Sequence, residues 1–146
     1  MGPLELVLQV VSAFIGVVTL AVVFHVPKKY LWPAGVTGAA GWFVYLVMED
    51  VLENAMFAAF LASVLVAVLS QIFARVLKAP VTIYLVTGIL PLVPGVGMYR
   101  TVYYLLHNDM AQTSYYLSYT LQIAGMIALA IFIVDSLFKV IYRKRT

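Results

Sequence analysis

The sequence predicts an all-α integral membrane protein, a bundle of about five transmembrane helices whose fourth helix is broken by prolines and glycines. Three observations predict it. Hydrophobic residues make up 64% of the 146 residues and charged ones 10%, too apolar a balance for the surface of a soluble domain. The apolar stretches each approach the roughly 20 residues that a helix needs to cross a hydrocarbon core of about 30 Å. One of them carries Pro91-Leu92-Val93-Pro94-Gly95-Val96-Gly97, which no continuous helix accommodates, because each proline lacks an N–H and its ring clashes with the preceding turn. The length allows four to six spans in one transmembrane domain over residues 1–146, with no separate soluble domain. Without cysteine there are no disulfides, thiolate metal sites or cysteine nucleophiles.

The first span runs from about Leu4 to Phe24. It opens Met1-Gly2-Pro3-Leu4-Glu5 without a basic residue, so it reads as a retained span and not as a secretory signal. Gly2 fails the myristoylation pattern because Leu6 stands where Ser or Thr is needed. After the short basic loop His25–Tyr30 comes the second span, about Leu31 to Met48. Its small residues include Gly35, Gly38 and Gly41, with Ala34/Gly38 and Thr37/Gly41 four apart, a spacing that lets another helix backbone approach closely. Simple packing is the ordinary use of such a face; a passage for substrate is the alternative. Glu49–Asn54 is an acidic loop, and Ala55 to about Phe73 is the third span, followed by the basic edge Arg75 and Lys78. The fourth, residues 81–106, is broken at 91–95. A polar connection, His107–Ser114, leads to the last span, about Tyr115 to Ile141, with Thr113 or Ser114 as its N-cap.

With five crossings the charges sort by side. Lys28, Lys29, Arg75, Lys78, Lys139, Arg143, Lys144 and Arg145 fall on one side, and Glu5, Glu49, Asp50, Glu53 and Asp109 on the other. Basic loops stay in the cytoplasm, which predicts the N-terminus outside and the C-terminus inside. An even number of crossings would put one basic cluster on the wrong side.

Given that orientation, a rise of about 1.5 Å per residue from Pro80 places Pro91–Gly95 between the midplane and the outer third of the membrane. A second half-helix beginning at Pro94 would turn the N–H groups of Gly95, Val96 and Gly97 toward its start. Such an end carries about half a positive charge and suits a carboxylate, as in transporters built on discontinuous helices. Gly95 and Gly97 would let a ligand approach the backbone. A kink re-satisfied by neighbouring helices is the other reading. Arg100 favours the site, because a guanidinium can hold a carboxylate by two parallel hydrogen bonds, and Tyr103, Tyr104 and His107 share its face. Against this, Arg100 can snorkel to the headgroups and the tyrosines can form an interfacial belt. The candidate substrate contacts are Pro91, Pro94, Gly95, Val96, Gly97, Tyr99, Arg100 and Tyr104.

Asp135, in the inner third of the last span, is a candidate for carrying a coupling proton, with an i, i+4 ion pair to Lys139 as the plainer alternative. It points about 140° away from Gln122 and so does not extend the Tyr115, Tyr119, Gln122 stripe. His25 and His107 are too few and too separated for a metal site. No catalytic constellation survives: there is no Ser/His/Asp set at one depth and no paired carboxylates in a span. Gly95-Val96-Gly97 follows a membrane helix, not a strand of a dinucleotide fold.

Lys78-Ala79-Pro80, Pro91-Leu92-Val93-Pro94-Gly95 and Tyr99-Arg100 together resemble the threonine/serine exporter family, in particular its small single-domain subunit, which is similar to the C-terminal half of the one-chain exporters. The resemblance extends over nearly the whole chain, from the opening apolar span and the Val26-Pro27 loop to the basic tail. It implies proton-coupled export of small carboxylate-bearing metabolites, threonine and serine in some members and succinate in others. The family's motif falls on Pro91, Pro94, Gly95 and Tyr99. The partners it implies are a larger membrane subunit of the same family, the small-molecule substrate and the lipid bilayer, with a homo-oligomer left open and no nucleic acid. No cofactor and no metal are implied, and the location is the plasma (inner) membrane, multi-pass. A structural or assembly subunit without its own substrate site is the alternative, and the small-residue face of the second span invites a partner helix.

Overall fold

The structure is a computed structural model that describes residues 1–143; Lys144, Arg145 and Thr146 of the predicted basic tail lie outside the described residues. Six α-helices follow in order: α1 (Pro3–Val23), α2 (Lys28–Leu52), α3 (Ala55–Val76), α4 (Val81–Ile89), α5 (Gly95–Leu106) and α6 (Met110–Arg143), with one 3₁₀ turn, Leu90–Leu92, after α4. No strand occurs among the described residues. Helices α1, α2, α3 and α6 are each long and apolar enough to cross a membrane, and the pair around the 3₁₀ turn, bent by 54°, makes a fifth crossing when taken as one span.

Capping sets the helix ends, and it corrects several expected boundaries. Glu49 and Asp50 belong to the last turn of α2 and not to a loop; the helix closes at Glu53, whose φ of 50° lies in the left-handed region. Asn54 then caps α3, its Oδ1 accepting from the N–H groups of Met56 and Phe57 at 3.0 and 3.3 Å. Lys28 and Lys29 likewise open α2. The cap of α6 is Asp109, whose Oδ1 accepts from the Gln112 N–H at 3.1 Å. Thr113, one of the two residues expected there, is inside the helix and donates its hydroxyl to the Asp109 carbonyl. A carboxylate at the first position outside the helix is at least as good a cap as a hydroxyl, so α6 starts a turn earlier than its hydropathy suggests.

The bundle is organised around α3, whose inward side is lined by small residues: Ala58, Ala59, Ala62, Ser63, Ala67 and Ser70 are all buried. Helices α2, α4 and α6 pack on it. α3 and α6 run parallel, with Tyr119 beside Ala55 and Met56 at one end and Gln71 bonded to Asp135 at the other. One core cluster sits at the level of the break, where Ala59, Ala62 and Val66 meet Leu92, Ile123 and Ile127. A second, nearer the α3–α4 turn, gathers Ala21, Tyr30, Ala34, Ala74 and Tyr84.

The small-residue face of α2 is filled from within the chain, which removes it as a surface for a partner helix. A Cβ on Gly35 would stand 2.6 Å from Phe14 of α1. One on Gly38 would meet Val17 of α1, and one on Gly41 would meet Val66 of α3. Close packing through missing side chains is how helices gain contact in lipid. Replacing Gly38 or Gly41 by Leu is therefore expected to cost about 1–3 kcal/mol by overpacking, read as a lowered thermal midpoint of the purified protein. Gly125→Leu, where an added Cβ meets nothing within 4 Å, should stay within about 0.5 kcal/mol.

Candidate functional site: the cavity at the helix break

Two prolines define the local geometry. Pro91 has no N–H to continue α4, and the chain tightens into the 3₁₀ turn, with the Val93 N–H donating to the Leu90 carbonyl at 3.2 Å. Pro94, at φ −76° and ψ 61°, is the centre of an inverse γ-turn, and the Gly95 N–H donates across it to the Val93 carbonyl at 2.7 Å. Pro94 thus precedes α5 instead of opening it, and Gly95 is the first helical residue. The N–H of Gly95 is consumed by that turn, against the expectation that it would be free. Those of Val96 and Gly97 have no carbonyl partner, as befits the first turn of a helix.

These two groups sit at a cavity of about 390 Å³ enclosed by α2, the break, α5 and α6. Pro91, Pro94, Gly95, Val96, Gly97 and Arg100 all line it. Nη1 of Arg100 donates to the Tyr116 hydroxyl at 2.9 Å, and the guanidinium lies 5.2 Å from the centre of the same ring. Tyr104 reaches the cavity only through Tyr116, on which it stacks at 5.5 Å. Tyr99 is 67% exposed and turns toward Tyr103, away from the cavity. Tyr103 stacks on His107 at 4.2 Å, outside the site.

The opposite wall consists of residues that no spacing argument singled out together: Trp42 and Tyr45 of α2, stacked on each other at 5.2 Å, and Tyr116 and Tyr119 of α6. Their only traces in the sequence are the Trp42/Tyr45 interval of three and the tyrosine stripe at the start of the last span. Trp42 and Pro91 are also the far wall of a second cavity, about 410 Å³, reaching Gln9 and Ser12 of α1. The site therefore offers a positive helix end and a guanidinium facing an aromatic wall. That combination suits a small anion, or a zwitterion whose ammonium rests on the rings.

Asp135 lies elsewhere, twelve residues along α6 from Ile123 of the cavity wall, or about 18 Å. Its Oδ2 pairs with Lys139 at 2.7 Å, and its Oδ1 accepts from Nε2 of Gln71 at 3.3 Å. Gly35 and Gly38 pack on α1, clear of the cavity. Among the described residues no three His, Cys, Asp or Glu side chains are grouped to hold a metal ion.

A family model described as Threonine/Serine exporter, ThrE, matches residues 9–137. No curated protein and no solved structure matches the chain.

Gly97 of the cavity wall packs closely against Thr120 of α6. A Cβ on Gly97 would run into Oγ1 of Thr120, a buried hydroxyl that has no hydrogen-bond partner. Gly97→Ala should therefore destabilise the protein by about 1–3 kcal/mol. Thr120→Ala, which deletes an unsatisfied group, should be close to neutral, and the double variant should recover most of the loss. A thermal-unfolding double-mutant cycle measures the coupling.

Proposed function

Since this chain belongs to the threonine/serine exporter family, a family of transporters, we propose that it is a subunit of a secondary exporter that binds a small carboxylate-bearing metabolite in the cavity at the broken fourth span. The observation that carries this is the convergence there of the free Val96 and Gly97 N–H groups and the Arg100 guanidinium. In hydrocarbon, unpaired backbone donors persist only where a cavity or a ligand meets them. The substrate carboxylate accepts from the helix end and from Arg100. An amino group, when the substrate has one, faces Trp42, Tyr45 and Tyr119, where Glu49 also stands close to both tyrosines. That wall favours threonine and serine over succinate.

Transport is proton-coupled in this reading, with Asp135 as the candidate carrier, and a larger subunit of the same family completes the pathway in the plasma membrane. The N-terminus faces outward and the C-terminus the cytoplasm, in keeping with the side-by-side sorting of acids and bases. Because the chain has no cysteine, single-cysteine variants report orientation directly. Asp50→Cys should react with an impermeant thiol reagent on intact cells, and Lys28→Cys only after permeabilisation; the reverse pattern would invert the topology.

The decisive experiment is efflux of labelled threonine, serine and succinate from preloaded cells expressing this chain with and without the larger subunit. Efflux of threonine or serine is expected with both chains present. Arg100→Ala should reduce it about 10- to 100-fold, the loss of one charge-assisted contact, with the protein still in the membrane. Efflux unchanged by Arg100→Ala would assign that residue to anchoring. No efflux of any solute, with the two chains still co-purifying, would establish a structural role.

A further inference from the structure

α4 and α6 both pack on α3 yet make no close backbone contact with each other. Between them, on the side of the α3–α4 turn, runs a groove of about 530 Å³. Ala67 forms its floor, and Leu85 of α4 faces Ile131 and Phe132 of α6 across it. Phe132 is 71% exposed, so the groove opens outward from the bundle, toward lipid.

Its polar groups collect at one end, where Gln71, Thr82 and Asp135 line it. One helical turn beyond two of them stands a cation, Arg75 after Gln71 and Lys139 after Asp135, and Lys78 lies in the turn that leads into α4. The carboxylate is neutralised by Lys139 at 2.7 Å. Gln71, more than nine-tenths buried, donates to Asp135 and accepts from Nη1 of Arg75 at 2.7 Å. Arg75 is held in place by the rings of Phe138 and Tyr142, 4.8 and 4.0 Å from its guanidinium. Arg75 of α3 and Lys139 of α6 thus stand at this end of the apolar slot beside one carboxylate, and Lys78 lies in the adjoining α3–α4 turn.

From this juxtaposition we propose that the α4–α6 groove is a binding site for an anionic phospholipid, its acyl chain lying along Ala67, Leu85, Ile131 and Phe132 and its phosphate at Arg75, Lys78 and Lys139. A small charged solute fits the slot poorly. Its walls are apolar, both ends of the Gln71 amide are engaged, and burying a charge without partners is costly. A phospholipid keeps its charge at the mouth and buries only hydrocarbon. Juxtamembrane cations attract anionic headgroups in this way, and the site is independent of what the protein transports.

The test uses the full chain in phosphatidylcholine vesicles, with Trp32→Phe, Trp42→Phe and Phe132→Trp leaving one indole reporter on the groove wall. Brominated phosphatidylglycerol is expected to quench that indole with an apparent association constant several-fold above that of brominated phosphatidylcholine. Lys78→Gln, which removes a cation without an ion pair among the described residues, should lower that preference about fivefold. Lys78→Arg should retain it, and Ala128→Leu should abolish it by filling the slot. Equal quenching by the two lipids would overturn the proposal in favour of ordinary boundary lipid. Quenching by neither, while Leu129→Trp in the same background is quenched, would overturn it by showing another helix in the groove. As a readout free of the reporter, wild-type protein in mild detergent should retain phosphatidylglycerol over phosphatidylcholine and Lys78→Gln should lose that selectivity; retention of neither lipid also overturns the proposal.

Discussion

A backbone that crosses hydrocarbon has to satisfy its own hydrogen bonds, and this chain breaks that rule at one place. Pro91 and Pro94 interrupt the helical ladder within four residues. Most of the groups they release are recovered locally, by the 3₁₀ turn from Leu90 to Val93 and the inverse γ-turn across Pro94. Left without a carbonyl partner at the start of α5 are the Val96 and Gly97 donors, on residues that line the cavity. The break is thus partly repaired within the chain and lies beside the cavity.

The same bend distributes space through the bundle. α4 lies against α2 and α3, whereas α5, turned by 54°, packs on α6 alone. The chain therefore passes from one flank of α3 to the other at the level of Leu92, where that residue meets Ala59, Ile123 and Ile127. Beyond the bend, α5 closes the gap between the α2 side and α6 and forms the cavity. Before it, the gap between α4 and α6 stays open as the groove. Small residues on α3 make both arrangements feasible, since a bulkier inward face would hold the three surrounding helices too far apart to share one core.

Much of this was legible in the sequence because hydropathy and proline placement act within a single segment. The spans and the position of the break follow from composition and from two residues. The helix ends did not, because Glu53, Asn54 and Asp109 work by side-chain geometry that hydropathy ignores: α2 and α6 run through polar residues until a cap stops them. The wall of the cavity was hidden for another reason. Trp42 and Tyr45 lie on one helix and Tyr116 and Tyr119 on another, 71 or more residues away, and helical spacing relates only residues on one helix. The spacing of the α2 glycines names no partner, because the neighbours they face, Phe14 and Val17 of α1 and Val66 of α3, lie on other helices.

Asp135 shows how such a network constrains mechanism. As an isolated carboxylate in a span it would be free to take up a proton. Here one oxygen is held by Lys139 and the other by Gln71, which in turn binds Arg75. Asp135 thus answers the charge of Lys139 and, through Gln71, joins α3 to α6 at this end. α3 and α6 are the two parallel helices whose other ends frame the break, and this network ties them together about 18 Å from Ile123 of the cavity wall. Between the two places α6 lies against the small-residue face of α3. Its alanine-lined contact, poor in interlocking side chains, is the part of the bundle best suited to slide.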